Sequence, residues 1–367
     1  MKTVLFFLDY YLPHRWWVEN VFENIILRLE KKWYKIIVLT SHYDKKLKKY
    51  ENINWIEIYR TWKSRLSFMR SAIKLWKQIL RTNKIDLIHA STYWWAIPAS
   101  ILWKTFNKKV ILTVHEVFGN LWFKYKWLLI WAIYKLFEWA IFKFKYDIFH
   151  CVSQNTAKEL KQYYWIKDEE INVIYNGIDT EFWNPRNVSS KEIFEWRKKY
   201  KRDDKFVFLY FGHAGKSKGI DYLIQALPEI LKLENVIMVF NIIESKRTKK
   251  VLEELSNINA NNLQIFNGFS KKELRILIAS ADCVVAPSIS EWFGSVHTES
   301  AAMGKTLITT RTSAIPEVVF GKVRFINPGN KDEIISACKD VIKWKIEEIA
   351  EKRFDWDETV EKIEKLY

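Results

Sequence analysis

The chain has 367 residues, 49% of them hydrophobic, and a formal net charge of +16, which excludes wholesale disorder and gives length enough for two ordinary domains. Its three cysteines, Cys151, Cys283 and Cys338, lie far apart, which excludes a disulfide framework and a CxxC motif and suits a reducing, cytoplasmic compartment. Residues 1–184 hold 29 Lys and Arg against 17 Asp and Glu, and the remainder 30 against 26, so a partner of the first half is anionic lipid, nucleic acid or a phosphorylated substrate, unless the charge only solvates the surface.

From the N-terminus, Val4–Leu8 is too short for a signal-peptide core and reads as a buried strand. "HRWWVEN" (residues 14–20) follows, in a loop where a glycine pair is usual, and then Val18–Lys32 shows apolar residues at helical spacing. Further strands are predicted at Lys35–Thr40, Asp86–Ala90, Val110–Val114, Ile148–Val152 and Asn172–Tyr175. Residues 122–146 are aromatic and apolar with interspersed lysines. They are too heavily interrupted for a membrane span and read either as a basic amphipathic helix lying on a membrane or as a core helix with snorkelling lysines. After Asn184-Pro185 and a charged stretch, strands are predicted at Phe206–Phe211, Val236–Ile242, Leu263–Phe266, Cys283–Ala286, Thr306–Thr309 and Val323–Ile326. Strands alternating with helices over two such stretches predict two doubly wound, parallel-sheet (Rossmann-like) α/β domains. Their ligands should sit in the loops after the strands.

Two loops of the second half carry the chemistry. Gly212-His-Ala-Gly-Lys-Ser-Lys-Gly219 joins a strand to a helix pattern, and N–H groups at a helix start with Lys216 and Lys218 make an anion site; an ordinary turn is the plain alternative. In Glu291-Trp-Phe-Gly-Ser-Val-His-Thr-Glu299, a glycine turn separates two carboxylates, one in a loop and one about a turn inside the next helix. Taken alone, such a pair is more often a cap and a surface charge.

The order of motifs resembles glycosyltransferase family 4, retaining enzymes of the GT-B fold with two domains facing across a cleft. The resemblance is carried by "VIYNGIDTEFWNP" (173–185), "YFGHAGKSKGIDYLIQA" (210–226), "APSISEWFGSVHTESAAMGKTLITT" (286–310), "AIPEVV" (314–319) and the terminal "FDWDETVEKIEKLY". It implies a first, acceptor-side domain over 1–184, completed by a crossover helix in 350–367, and a nucleotide-sugar-binding domain over 185–349. It also implies roles. Lys218 neutralises the donor diphosphate, and Gly212 and His213 line the same loop. His213 stands where the family has arginine, and histidine is only partly protonated near neutral pH. Gly294, Ser295 and Val296 offer backbone N–H groups to phosphate, Glu291 contacts the donor sugar, Glu299 the ribose, and His115 in "LTVHEVFG" the transferred sugar. Trp16, Trp17 and Glu19 form the first-domain loop near donor and acceptor. Base selection falls to the loops around 241–247 and 267–269.

The implied activity is retaining, metal-independent transfer of a hexose-type sugar from a nucleotide-diphosphate sugar to a cell-envelope glycan or lipid-linked acceptor. No cofactor is expected; the sequence has no clustered His and Cys ligands. The protein would be cytoplasmic, with peripheral contact to the anionic inner face of the cell membrane, and would not bind nucleic acid, for which no motif is present. A sugar-nucleotide epimerase of the same fold is a further possible relative, less well matched in spacing.

Composition adds one anomaly. There are 19 tryptophans and only 10 glycines, near 3% glycine where roughly 7% is usual. The family's Gly-Gly-Val-Glu is here Trp16-Trp17-Val18-Glu19, and Trp292 occupies the glycine of "EGFG". Trp94-Trp95 sit in a turn, and Trp33 and Trp165 follow helix patterns at glycine-type positions; Trp62 and Trp103 are weaker cases, and Trp356 matches an expected tryptophan. One codon read as glycine by the source, as some bacterial lineages read UGA, accounts for all of these together. Were the tryptophans real, the chain would be a catalytically impaired GT-B-like membrane or interaction protein.

Overall fold

The structure is a computed structural model. It describes every residue except 15–16, 62–74, 77, 80, 93–95, 122–127 and 246–247, and only the backbone of 102–106 and 128–131. Trp16, Trp62, Trp94, Trp95 and part of the 122–146 segment therefore lie outside the described residues.

The chain divides into two compact units, residues 1–177 with 355–367, and residues 178–354. In the first, β1 (Thr3–Leu8), β2 (Lys35–Ser41), β4 (Ile56–Thr61), β5 (Leu87–Ser91), β6 (Lys109–Val114), β7 (Ile148–Cys151) and β8 (Ile171–Val173) run parallel, and β3 (Tyr50–Ile53) adds an antiparallel edge in the order β3-β4-β2-β1-β5-β6-β7-β8. β1 and β5 are buried at every position, as interior strands covered on both faces must be. Helix α1 (Trp17–Lys31) lays Phe22, Ile25, Ile26 and Leu29 on the sheet, each fully buried side chain contributing roughly 1.5–3 kcal/mol. Helices α2 (Ala96–Phe106), α3 (Leu128–Lys143) and α4 (Gln154–Tyr164) complete the layers.

In the second unit the order is β11-β10-β9-β12-β13-β14-β15, with β9 (Phe206–Phe211), β10 (Val236–Asn241), β11 (Leu263–Phe266), β12 (Cys283–Ala286), β13 (Thr306–Thr310) and β14 (Gly321–Ile326) parallel and β15 (Glu347–Ile349) antiparallel. Between and around them lie α5 (Ser190–Lys199), α6 (Ile220–Ile230), α7 (Lys249–Ser256), α8 (Lys271–Ser280), α9 (Ser295–Ala302), α10 (Ile315–Val318) and α11 (Lys331–Ile342). The last helix, α12 (Trp356–Glu364), returns to the first unit. There it buries Trp356, Val360 and Ile363 in the cluster with Phe22 and Ile25, and Arg28–Asp357 and Lys32–Glu364 ion pairs tie it to α1. Among the described residues no helix is long and apolar enough to cross a membrane.

The strands predicted from periodicity are present within a residue or two. The hairpin β3–β4 and the short β15 were not predicted. β15 is Glu-Glu-Ile, too charged and short to signal a strand.

Candidate functional site

The glycine loop after β9 and the loop after β12 are built against each other. Gly219 has φ 67°, and a Cβ there would collide with the Pro287 carbonyl oxygen; one on Gly212 (φ 109°) would lie 3.1 Å from the Val296 side chain. The Ser217 carbonyl accepts hydrogen bonds from the N–H groups of Ile289 (2.7 Å) and Ser290 (3.2 Å). Glycine in the first loop is thus a packing requirement as well as a conformational one.

This nesting brings Lys218 to Glu291, Nζ to Oε1 at 2.7 Å, and Ser288 Oγ donates to the same oxygen at 3.1 Å. Burial alone would raise the Glu291 pKa; the Lys218 charge, with the two hydrogen bonds, outweighs it and holds the carboxylate below its ordinary range. His297, fully buried nearby, adds to the Lys218 charge in lowering the Glu291 pKa, while burial lowers its own. Gly294 caps α9 in the left-handed region, φ 82°. The next residues, Ser295 and Val296, open the helix, where N–H groups have no intrahelical partner. Trp292 and Phe293 are buried behind them.

Glu299 sits one turn into α9, half-buried; burial, reinforced by Asp179 against Lys271, pushes its carboxyl up to about 8. His213 is exposed, its carbonyl accepting from the Tyr210 hydroxyl at 3.0 Å. The Glu244 N–H donates to Asn267 Oδ1 at 2.7 Å, which joins the two loops expected to select the base; residues 246–247 of the first lie outside the described residues. Lys218, Glu291, Gly212, Gly294, Ser295, Val296 and Glu299 thus gather around two strand-to-helix loops. Ser288 and His297 were missed, since a serine before the motif and a histidine inside it carry no pattern of their own.

In the first unit, His115 follows β6, and burial lowers its pKa to about 3. Neither ring nitrogen has a hydrogen-bond partner among the described residues. Trp17 stands edge-on to it at 5.1 Å and Phe22 at 5.5 Å. Glu19, in the first turn of α1, is buried with Oε2 3.4 Å from His14 Nδ1. Below these, His150 Nε2 donates to the Ile174 carbonyl, and Thr113, His89 and the Tyr367 hydroxyl follow in a buried thread of 2.6–3.0 Å links. With both histidines neutral, that carbonyl sets every proton direction: Thr113 donates to His150, His89 to Thr113, and Tyr367 to His89. His115 stands outside the thread.

The loop after His115 is held by Glu138. Fully buried on α3, its carboxylate accepts the N–H groups of Phe118 (2.8 Å) and Gly119 (2.9 Å) and the Tyr164 hydroxyl (2.6 Å). No motif pointed to this residue; a glutamate inside an apolar segment was its only signal.

Comparison with known proteins gives these loops a setting. A family model described as Glycosyltransferase Family 4 matches residues 18–182, and one described as Glycosyl transferases group 1 matches residues 192–364. An uncharacterized glycosyltransferase of Methanocaldococcus jannaschii is 27% identical over 92% of this chain and 90% of its own length. The GPI3 subunit of phosphatidylinositol N-acetylglucosaminyltransferase from Saccharomyces cerevisiae is 20% identical over 98% of this chain and 81% of its own. The crystal structure of Anabaena HepE in complex with UDP-glucose superposes with a TM-score of 0.77 at 17% identity, over 100% of this chain and 99% of that one. With two consecutive glycosyltransferase models spanning its two α/β units, the chain belongs to the family 4 glycosyltransferases, enzymes of the GT-B fold.

Proposed function

We propose that the protein transfers a hexose-type sugar, with retention and without a metal ion, from a nucleotide-diphosphate sugar to a cell-envelope glycan or glycolipid acceptor. The observation that carries this reading is the Lys218–Glu291 pair, held at 2.7 Å where two glycine loops meet ahead of the α9 N-terminus. A cation and free helix N–H groups at one place suit a diphosphate. When a donor enters, Lys218 turns from Glu291 to the phosphates, and Glu291 is left to accept hydrogen bonds from sugar hydroxyls. Glu299 takes the ribose hydroxyls, and His115 has the part the family resemblance gives it, toward the transferred sugar. The bond between anomeric carbon and phosphate oxygen breaks with its electrons on the leaving nucleoside diphosphate, whose charge Lys218 and the α9 N–H groups stabilise. The acceptor oxygen bonds to the same face of that carbon, and its proton passes to the leaving phosphate oxygen.

The acceptor class rests on two supports. The yeast relative is named for transfer to phosphatidylinositol. In addition, α3 exposes Ile133, Leu136 and Trp139, three residues apart along one face, with Lys143, Phe144 and Lys145 exposed at its end. An apolar stripe bordered by lysines suits the anionic inner face of a membrane.

The test is to incubate the protein with UDP-, GDP- and ADP-sugars and lipid extract and read the product's anomeric configuration by NMR, with and without chelator. Inversion, or loss of activity with chelator, contradicts the proposal. A second reading has one observation in its favour: the Trp17 indole covers His115, so a chain carrying tryptophan there would be an impaired transferase that binds membrane or partners. It predicts nucleotide binding without turnover.

A further inference from the structure

We infer that Trp33, Trp55, Trp165 and Trp344 are glycine in the protein its source organism makes, a single codon having glycine meaning there. Nine non-glycine residues among those described have positive φ: three are asparagine, one lysine, one serine and four these tryptophans, at 65°, 65°, 55° and 58°. Asparagine tolerates this region; for a bulky side chain it is a true outlier. Tryptophan nonetheless exceeds asparagine here.

Each of the four occupies a position whose hydrogen bonds define a glycine motif. At the end of α1, Trp33 N–H bonds the Glu30 carbonyl (3.0 Å) and Tyr34 N–H the Leu29 carbonyl (3.2 Å). At the end of α11, Trp344 N–H bonds Val341 (3.0 Å) and Lys345 N–H bonds Asp340 (2.9 Å). Both are Schellman caps, in which the left-handed residue is usually glycine. A true glycine shows the same pair of bonds: Gly304, φ 67°, bonds Ala301, and Lys305 bonds Ser300. Trp165 caps α4 in the left-handed region, its N–H on the Lys161 carbonyl. Asn54-Trp55 forms the two-residue loop between β3 and β4, with φ 48° and 65° and Ile53 paired to Ile56. That is a type I′ turn, whose preferred sequence is Asn-Gly.

The indoles return little for this strain: Lys143 Nζ lies 5.4 Å from the Trp165 ring and Lys322 Nζ 5.6 Å from the Trp344 ring, exposed cation–π contacts of about 0.5–1 kcal/mol each. All four are 66–82% exposed. Other tryptophans behave differently: Trp76, Trp183 and Trp356 have ordinary φ and are at most 4% exposed, and the Trp356 ring fills the space a Cβ on Gly177 would need. These seven tryptophans therefore fall into a packed class and a left-handed, solvent-facing class, while Trp17 and Trp139 are exposed with ordinary φ.

For the first-unit loop and the Glu291 motif the inference goes further and rests on the proposed transferase function, because the backbone at Trp17 and Trp292 has ordinary φ. Glycine at 16, 17 and 292 matches the family motifs, and glycine at 17 removes the ring standing 5.1 Å from His115, opening two nitrogens without protein partners among the described residues.

The decisive experiment reads the codons of the gene and the peptide masses of the protein isolated from source cells. UGA at 33, 55, 165 and 344, UGG at 76, 183 and 356, and glycine-mass peptides at the first four are expected. UGG at the four, or tryptophan in their peptides, overturns the inference. With recombinant protein, combined Trp33→Gly, Trp55→Gly, Trp165→Gly and Trp344→Gly should raise the thermal midpoint by several degrees, whereas Trp356→Gly lowers it; a fall with the four also counts against the inference. The site arm reads separately. If glycine is found at 16, 17 and 292 but the glycine-bearing protein neither binds nor transfers any nucleotide sugar, the proposed function fails and the codon assignment stands.

Discussion

In the proposed reaction Lys218 leaves its ion pair with Glu291 for the donor phosphates, which makes their two substitutions unequal. Lys218→Met removes the cation proposed to offset leaving-group charge and should lower kcat about 10²–10³-fold. It also leaves a buried carboxylate without its cation, so stability at neutral pH should fall by about 2 kcal/mol, less than for a wholly buried pair because Lys218 is partly exposed. Glu291→Gln should retain nucleoside diphosphate binding while losing transfer; calorimetry and a turnover assay separate the effects. Glu299 supplies a pH dependence. Its carboxyl, raised to about 8 by burial, is mostly protonated in the free protein at neutral pH, while ribose hydroxyls favour the carboxylate. Binding therefore deprotonates it, and nucleotide affinity should rise with pH from 6 toward 8, by up to about tenfold per unit, then level off. A titration series should show that slope in the native chain and none in Glu299→Gln; an equal slope in both would remove Glu299 from the ribose.

At the scale of elements, the loop after β6 is tied to α3 by the buried Glu138 carboxylate and, at the surface, by Lys135 donating to Asn120 Oδ1 at 2.8 Å. Glu138→Ala leaves two backbone N–H groups and the Tyr164 hydroxyl without their acceptor, and unfolding free energy should drop by about 3 kcal/mol; a midpoint unchanged within a degree would contradict the clamp. This dependence was not legible in the sequence, because a lone glutamate in an apolar segment says nothing of which N–H groups it meets. Parallel strands such as Phe206–Phe211 were legible, since strands buried on both faces give unbroken apolar runs. The β3–β4 hairpin was not, and its reason is specific: Asn54-Trp55 hides the Asn-Gly signal that announces a type I′ turn. In the candidate site, the glycine loop and the Glu291–Glu299 segment were legible as strand-to-helix loops from motif order. Ser288 and His297 were not, as they matter only through the approach of two loops distant in sequence.

For the whole molecule, charge and apolar exposure coincide in the first unit, where α3 presents Ile133, Leu136 and Trp139 near exposed lysines. Co-sedimentation with anionic vesicles should be strong at low salt and weaken as salt rises. Ile133→Asp with Leu136→Asp should reduce it at least tenfold, and equal binding to neutral vesicles would remove the electrostatic part. Every catalytic role proposed for this molecule depends on binding a nucleotide-diphosphate donor. The most direct test of donor binding is calorimetric titration of UDP, GDP and ADP into the protein bearing Trp16→Gly, Trp17→Gly and Trp292→Gly, alongside the same protein with Lys218→Met. One nucleotide diphosphate should bind at micromolar concentration and lose at least tenfold in affinity with Lys218→Met; binding of none, or binding indifferent to Lys218, would contradict a donor site built on the Lys218–Glu291 pair.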